Sequence, residues 1–313
     1  MSLTAEYVDR FEASRPRLEA IAYRLLGSAG EAEDAVQETF LRWQAAGVDH
    51  IEVPEAWLTK VLTNLCLNQL TSARARRETY VGRWLPEPLL AGDPMLGPAD
   101  TAEQRESVSY AVLTLMERLS PSERAVYVLR EAFDYPHREI AEILDITEAA
   151  SQQIFHRAKK HIADGKARTE IGEAATRRIV EEFLAAATTG RIEPLVRLLT
   201  EDAIAIGDGG GKVPARAKAF EGALAVAKFL RGLFIPAEAK RALVGGTAEV
   251  YLWTANGDPA VVAVVDGQVV GVMCLEVTAE GIAAFRSQVN PDKLERATAQ
   301  WAAADHGEPL FSV

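Results

Sequence analysis

The chain has 313 residues, enough for two or three domains with separate cores. Hydrophobic residues make up 48% and charged residues 25%, the balance of a globular protein rather than a fibrous or disordered one. The net charge of −11 argues against nucleic-acid binding by the body as a whole, so any such contact must come from local basic patches.

Two patches exist. Between Trp57 and Arg83, Lys60, Arg74, Arg76, Arg77 and Arg83 face one acid, Glu78. Between Ile146 and Arg168, Arg157, Lys159, Lys160, Lys166 and Arg168 face Glu148 and Asp164. The longest uninterrupted apolar run, Ala260 to Val265, is too short to span a bilayer. With no basic-then-apolar leader at the N-terminus, a cytoplasmic protein is expected. Cys66 and Cys274 lie in apolar contexts far apart and read as buried thiols, not as a disulfide or metal site. Nothing implies a cofactor.

In chain order, Ser14 and Pro16 predict the start of a first helix that stops at Gly27. Ser28 and Glu31 form a capping box for a second, to about Gln44, with Val36, Phe40 and Trp43 on its apolar stripe. Its acidic side, Glu31, Glu33, Asp34 and Glu38, either complements the helix dipole or docks a basic partner. Pro54 opens a third helix. Trp57, Leu58, Val61, Leu62, Leu65 and Cys66 face its core, and Lys60, Asn64, Asn68 and the arginines lie elsewhere. An Asn-bearing helix running into an arginine cluster can hold a nucleic-acid backbone and read exposed bases; the bland reading is a polar face with a basic tail.

Residues 79–101 carry four prolines and three glycines and read as a linker. Trp84, Leu85, Leu89 and Leu90 within it predict that part of the linker packs. Helices resume near Ala102, and Ser120-Pro121-Ser122-Glu123 starts another. Residues 135–162 read as a helix-turn-helix, with the turn at Asp145-Ile146 and Thr147 as cap. In its second helix Ala150, Ile154, Ala158 and Ile162 face inward. Outward lie Gln152, Gln153, His156, Arg157, Lys159 and Lys160, which can reach base edges and phosphates in a major groove; the alternative is an ordinary hairpin with a solvated basic face.

Past Arg168 two helices, to Thr189 and to Leu199, precede Ala203–Ile206 and the Gly-rich Asp208–Lys212. A helix over about 222–234 follows, then strands at 241–244, 249–254, 260–266, 269–278 and 282–288, with hairpin turns at Asn256-Gly257 and Asp266-Gly267. This is an α+β domain with a meandering antiparallel sheet. A short helix and tail close the chain.

Residues 1–165 resemble an extracytoplasmic-function RNA polymerase sigma factor. GEAEDAVQETFLRW resembles the region 2 helix that docks on the polymerase clamp, PEAWLTKVLTNLCLNQL the helix that engages the −10 element, and LSPSERAVYVLREAFDYPHREIAEILDITEAASQQIFHRAKKHI region 4, which reads the −35 element. Residues 170–290 resemble a SnoaL-like cone-shaped domain, found on a subgroup sometimes called SigJ-type. Its marks here are Trp84-Leu85-Pro86-Glu87-Pro88-Leu89, Asp208-Gly209-Gly210-Gly211-Lys212 and Asn290-Pro291-Asp292-Lys293-Leu294.

The resemblance implies a multidomain chain: region 2 (1–78), linker (79–101), region 4 (102–168), regulatory domain (169–290) and terminal helix and tail (291–313). Partners are promoter DNA and core polymerase, through clamp and flap. Glu33, Asp34, Gln37 and Glu38 would face the polymerase; Lys60, Asn64 and Asn68 would face the −10 strand, with Arg74, Arg76 and Arg77 on phosphates. The extension is expected to regulate in cis.

Two departures stand out. Asp145 takes the place of a usual turn Gly, and Ser151 that of an apolar residue, which should either loosen the packing of the second helix or shift promoter preference. Cones of this fold also suggest room for a small apolar ligand or a residual enzyme. Asp202, Asp208, Asp266 and Glu276 are its candidate acids, the first three expected to be solvated. A dimeric ligand-sensing repressor would explain the helix-turn-helix but not the first 75 residues.

Overall fold

The computed structural model describes residues 5–46, 51–78, 80–90, 109–163, 173–215, 218–235 and 237–313, apart from the side chains of residues 5, 6, 73–78, 173 and 240. It divides into two compact units, Met1–Thr79 with Gly92–Lys166 and Tyr80–Ala91 with Ala167–Val313.

The first unit is helical. It begins with α1 (Ala5–Leu26), α2 (Ala29–Ala46) and α3 (Pro54–Glu78). Helix α1 starts well before the predicted Ser14, and Pro16 sits inside it. An internal proline costs a helix about 3 kcal/mol. The turns before it recover this by burial: Phe11 is fully buried against Phe40, with ring centroids 4.8 Å apart, and Tyr7 meets Trp43 at 5.1 Å. Gly27 ends α1 in the left-handed conformation, and the Ser28 hydroxyl accepts from the Glu31 N–H as expected.

After the linker come α4 (Tyr110–Met116) and α5 (Pro121–Tyr127), which runs on into a π-turn at Val128–Ala132; α6 (His137–Leu144) and α7 (Glu148–Ala163) complete the unit. The expected start near Ala102 lies outside the described residues. The Ser120–Glu123 capping box is formed in both directions.

Two separate helical blocks were expected, but they share one unit. Arg124 of α5 is 2% exposed, donates to the Arg24 carbonyl of α1 at 3.2 Å and pairs with Glu117. The Arg17 guanidinium lies 5.0 Å over the Tyr135 ring. Cys66 is free and buried, and burial holds its thiol well above the ordinary range.

In the second unit α8 (Glu173–Thr188) and α9 (Ile192–Leu198) lead into β1 (Leu199–Asp208), β2 (Phe220–Glu221), α10 (Ala223–Phe234) and α11 (Glu238–Val244). The sheet continues with β3 (Glu249–Ala255), β4 (Asp258–Val265), β5 (Gln268–Thr278) and β6 (Gly281–Gln288). A 3₁₀ turn at Pro291–Lys293, α12 (Glu295–Ala303) and β7 (Phe311–Ser312) end the chain. Strand order among the described residues is β2-β1-β6-β5-β4-β3-β7.

Three expectations are corrected here. The strand expected at 241–244 is helix α11, closed by Gly245 at φ 82°; so short an apolar run fits either periodicity. The sheet is not wholly antiparallel, since β1 pairs parallel to β6. The tail is not an appendage: Phe311 pairs with Val250, adding a strand to the same sheet.

One face of the sheet packs on α8–α10. Phe183 sits at its centre, 5.1 Å from Phe285 and 5.9 Å from Phe234 between ring centroids. Phe285→Ala should cost about 3–5 kcal/mol. The check is a lowered denaturant midpoint for loss of the chain's strand signal, with the helical first unit less affected.

Candidate functional site

Helix α7 presents Gln152, Gln153, His156, Arg157, Lys159 and Lys160 to solvent, as expected, while Ala158 and Ile162 are buried. Ala149, Gln152, Gln153, His156 and Arg157 line a shallow open depression. Asp145 turns the chain at φ 53°, ψ 46°, and Thr147 accepts from the Ala150 N–H at 3.1 Å. Ser151 does not loosen the helix: it is fully buried, and its hydroxyl meets His137 Nδ1 at 2.9 Å. Lys159 is engaged within the unit, 3.2 Å from Glu131.

On α2, Glu33, Asp34 and Gln37 are exposed on one side, and the half-buried Glu38 pairs with Arg42 at 2.9 Å. On α3, Asn68 is exposed and Asn64 half-buried. The side chains of Arg74, Arg76 and Arg77 lie outside the described residues. Lys60 is held by the helix-turn-helix: its ammonium donates to the Glu142 carbonyl and to Asp145, both at 2.7 Å. Beside it Thr59 and Tyr135 share a hydrogen bond of 3.1 Å. The Lys60–Asp145 pair is solvated, its side chains 41% and 76% exposed, so it contributes at most about 1 kcal/mol.

The second unit holds a clamp. Asp208, expected to be solvated, is fully buried at the end of β1. Its Oδ1 accepts from the Tyr80 hydroxyl (2.6 Å) and the Gly210 N–H (3.0 Å). Its Oδ2 accepts from the Leu85 N–H (2.8 Å), Lys293 (2.8 Å) and Gln288 (3.2 Å). Burying a carboxylate costs several kcal/mol, which these donors and the lysine charge offset. Burial, with the Asp208 hydrogen bond next, raises the Tyr80 hydroxyl's pKa well above its ordinary range.

All three segments singled out in the sequence meet here. Lys293 also donates to the Leu85 carbonyl at 2.7 Å, with its ammonium 3.9 Å over the Trp84 ring and 5.1 Å over Tyr80. Asn290 donates to the Tyr80 oxygen at 3.0 Å and caps the turn through the Asp292 N–H. Lys212 reaches Asp292 at 2.6 Å on the exposed rim. Pro291 starts this 3₁₀ turn, and Leu294, 2% exposed, anchors it.

The glycines are needed for close approach. A Cβ at Gly210 (φ 60°) would overlap the Asn290 side chain, and one at Gly211 (φ 74°) would come within 3.1 Å of Val81; at Gly209 it would strike the Val213 carbonyl. Further along, Leu89 exchanges hydrogen bonds with Asn256, and the Leu90 N–H donates to Gln300 at 2.8 Å. Leu85, Pro86, Pro88, Leu89 and Leu90 are buried.

Tyr80, Asn256, Gln288 and Gln300 were not singled out in the sequence. Asn256 was read only as a turn residue, which it also is, at φ 56°. No spacing connects it to a leucine 167 positions away.

The other candidate acids behave as ordinary residues. Asp202 is exposed on β1, Asp266 occupies a turn at φ 49°, and Glu276 pairs with Arg286 at 2.8 Å. No group of metal-ligating side chains occurs among the described residues, and no described helix is long and apolar enough to cross a membrane.

Comparison with known proteins matches residues 10–76 to Sigma-70 region 2 and 109–162 to Sigma-70, region 4. The chain is 39% identical over 227 residues to the ECF RNA polymerase sigma factor SigJ of Mycobacterium tuberculosis, covering 72% of each chain. The chain belongs to the extracytoplasmic-function RNA polymerase sigma factors. A second M. tuberculosis relative, the probable sigma factor SigI, is 30% identical over 291 residues, covering 91% of this chain and 93% of its own. The crystal structure of M. tuberculosis SigJ superposes with a TM-score of 0.70 at 33% identity, covering 91% of this chain and 97% of that one.

This sigma factor therefore carries regions 2 and 4 in its helical unit, followed by an α+β extension. It is an alternative sigma factor that binds core RNA polymerase and promoter DNA and initiates transcription.

Gly210→Ala should strain the clamp by about 1–3 kcal/mol, from its left-handed backbone and the Asn290 overlap. Hydrogen exchange at the Leu85 and Leu89 amides should then speed up about tenfold or more.

Proposed function

We propose that the SnoaL-like domain restrains this sigma factor in cis by holding the segment that joins region 2 to region 4. The observation that carries the reading is buried Asp208, whose five hydrogen bonds gather the linker, the Gly-rich loop and the 290–294 turn. Holding Tyr80–Leu90, 11 residues, removes roughly 36 Å of reach from the connection between the two regions. A promoter presents its −35 and −10 elements at separate places along the duplex, so the regions must part to engage both. The closed arrangement supports the same reading, because Lys60, the candidate −10 contact, is held by Asp145 and Glu142.

In the open state Lys60, Asn64 and Asn68 would face the −10 strand, with Arg74, Arg76 and Arg77 on its phosphates. Gln152, Gln153 and His156 would read the −35 groove, with Arg157, Lys159 and Lys160 on the backbone. Glu33, Asp34, Gln37 and Glu38 would meet the polymerase clamp, and region 4 its flap. A small apolar ligand in the cone would have to displace the Phe183–Phe234–Phe285 cluster, which favours control by contact over control by ligand.

Asp208→Asn removes the charge that Lys293 balances while keeping the side chain's shape. In transcription with core polymerase it should raise the transcript yield severalfold over the wild-type chain. Unchanged yield, with the Leu85 amide shown to be released, would defeat the regulatory reading. On DNA, Lys160→Ala should weaken binding about evenly across sequences and reduce the salt slope by about one, whereas Gln153→Ala should relax specificity at one position. The reverse pattern in a binding titration would exchange their roles.

A further inference from the structure

The outer face of the SnoaL-like sheet treats residues 84–90 as a peptide ligand. Its side chains read the segment's main chain rather than only covering its leucines. Asp208 accepts from the Leu85 N–H, Lys293 and Gln288 donate to the Leu85 carbonyl, and Gln288 also donates to that of Pro86. Asn256 accepts from the Leu89 N–H through its side chain and donates to the Leu89 carbonyl through its own N–H, and Gln300 accepts from Leu90. Leu90 also bridges antiparallel to Ala255 at the end of β3.

The host groups are built for this. Asp208, Asn256 and Gln288 are each 0% exposed, so their polar atoms are committed to partners rather than to solvent. The segment is suited to such a site. Pro86 and Pro88 carry no N–H, so only four donors between Leu85 and Leu90 need partners, and those of Leu85, Leu89 and Leu90 are received by host side chains. Leu85, Leu89 and Leu90, each at most 1% exposed, are its apolar anchors, and the Trp84 ring lies against Lys293.

We infer that this face is a peptide-recognition site that also works in trans. Its ligand class is an extended, proline-containing segment of another polypeptide, with an aromatic–Leu–Pro start and a Leu pair four and five residues after the first Leu. Such a partner would displace the linker and release the sigma regions. The inference rests on the capture of the linker but not on its effect on transcription.

Connectivity fixes how such a partner must compete. A tethered segment faces its site at an effective concentration of about millimolar, so the wild-type chain masks the site against weaker ligands. The test uses the full chain and a fluorescent peptide of sequence RWLPEPLLA. Leu85→Asp with Leu89→Asp disables the resident segment and leaves every host side chain in place. This variant should bind the peptide at least about tenfold more tightly than the wild-type chain does. Adding Asp208→Ala should abolish the binding.

Side-chain amide resonances of Gln288 and Asn256 in the wild-type chain, titrated with millimolar peptide, give a second reading that needs no variant; they should remain at their linker-bound positions in shift while exchange with the labelled peptide appears. Absence of binding to a folded double variant up to millimolar peptide would overturn the inference. So would binding that survives Asp208→Ala. Should the double variant not fold, absence of any exchange in the wild-type titration would overturn it instead.

Discussion

A single buried carboxylate organises the second half of this sigma factor. A buried carboxylate needs donors, and those of Asp208 come from two distant stretches of the chain, Tyr80 with Leu85 and Gln288 with Lys293, and from the neighbouring Gly210. Removing one charge of such a pair costs more than the pair itself contributes, because the other charge is left uncompensated. Five of the clamp's hydrogen bonds thus share one carboxylate, so losing it would unpair donors on all the segments it gathers.

The helical unit combines weak polar contacts with stronger buried ones. Lys60 and Asp145 form a solvated pair of small net worth, and Thr59–Tyr135 adds one hydrogen bond. The larger contributions are apolar burial and the Arg124 guanidinium received by the Arg24 carbonyl and Glu117. Glu33 and Asp34 of α2 and the polar face of α7 are exposed in the helical unit.

The Gly-rich loop shows why a motif can be read in type but not in detail. Three successive glycines suggest close approach, and the structure identifies what approaches each of them: the Val213 carbonyl, Asn290 and Val81. The lysine that follows has a lesser part, in an exposed pair with Asp292, whereas Lys293 carries the buried charge. The two lysines thus differ in consequence through burial and through the contacts that surround Lys293.

The helix-turn-helix is legible along the chain because its signals are local: the cap at Thr147, the left-handed Asp145 and the four-residue apolar repeat each act within one or two turns. The hairpins at Asn256-Gly257 and Asp266-Gly267 were legible for the same reason. Tertiary structure decided what local signals could not. Helix α1 runs through Pro16 because Phe11 is buried against α2; the Glu238–Val244 segment, too short for its periodicity to choose, is a helix closed by Gly245; Asp208 is buried because residues 80, 85, 288 and 293 converge on it. Whether a polar residue at a strand end is solvated or forms the centre of a clamp depends on which distant donors the fold delivers, and that information is not present in its neighbours along the chain.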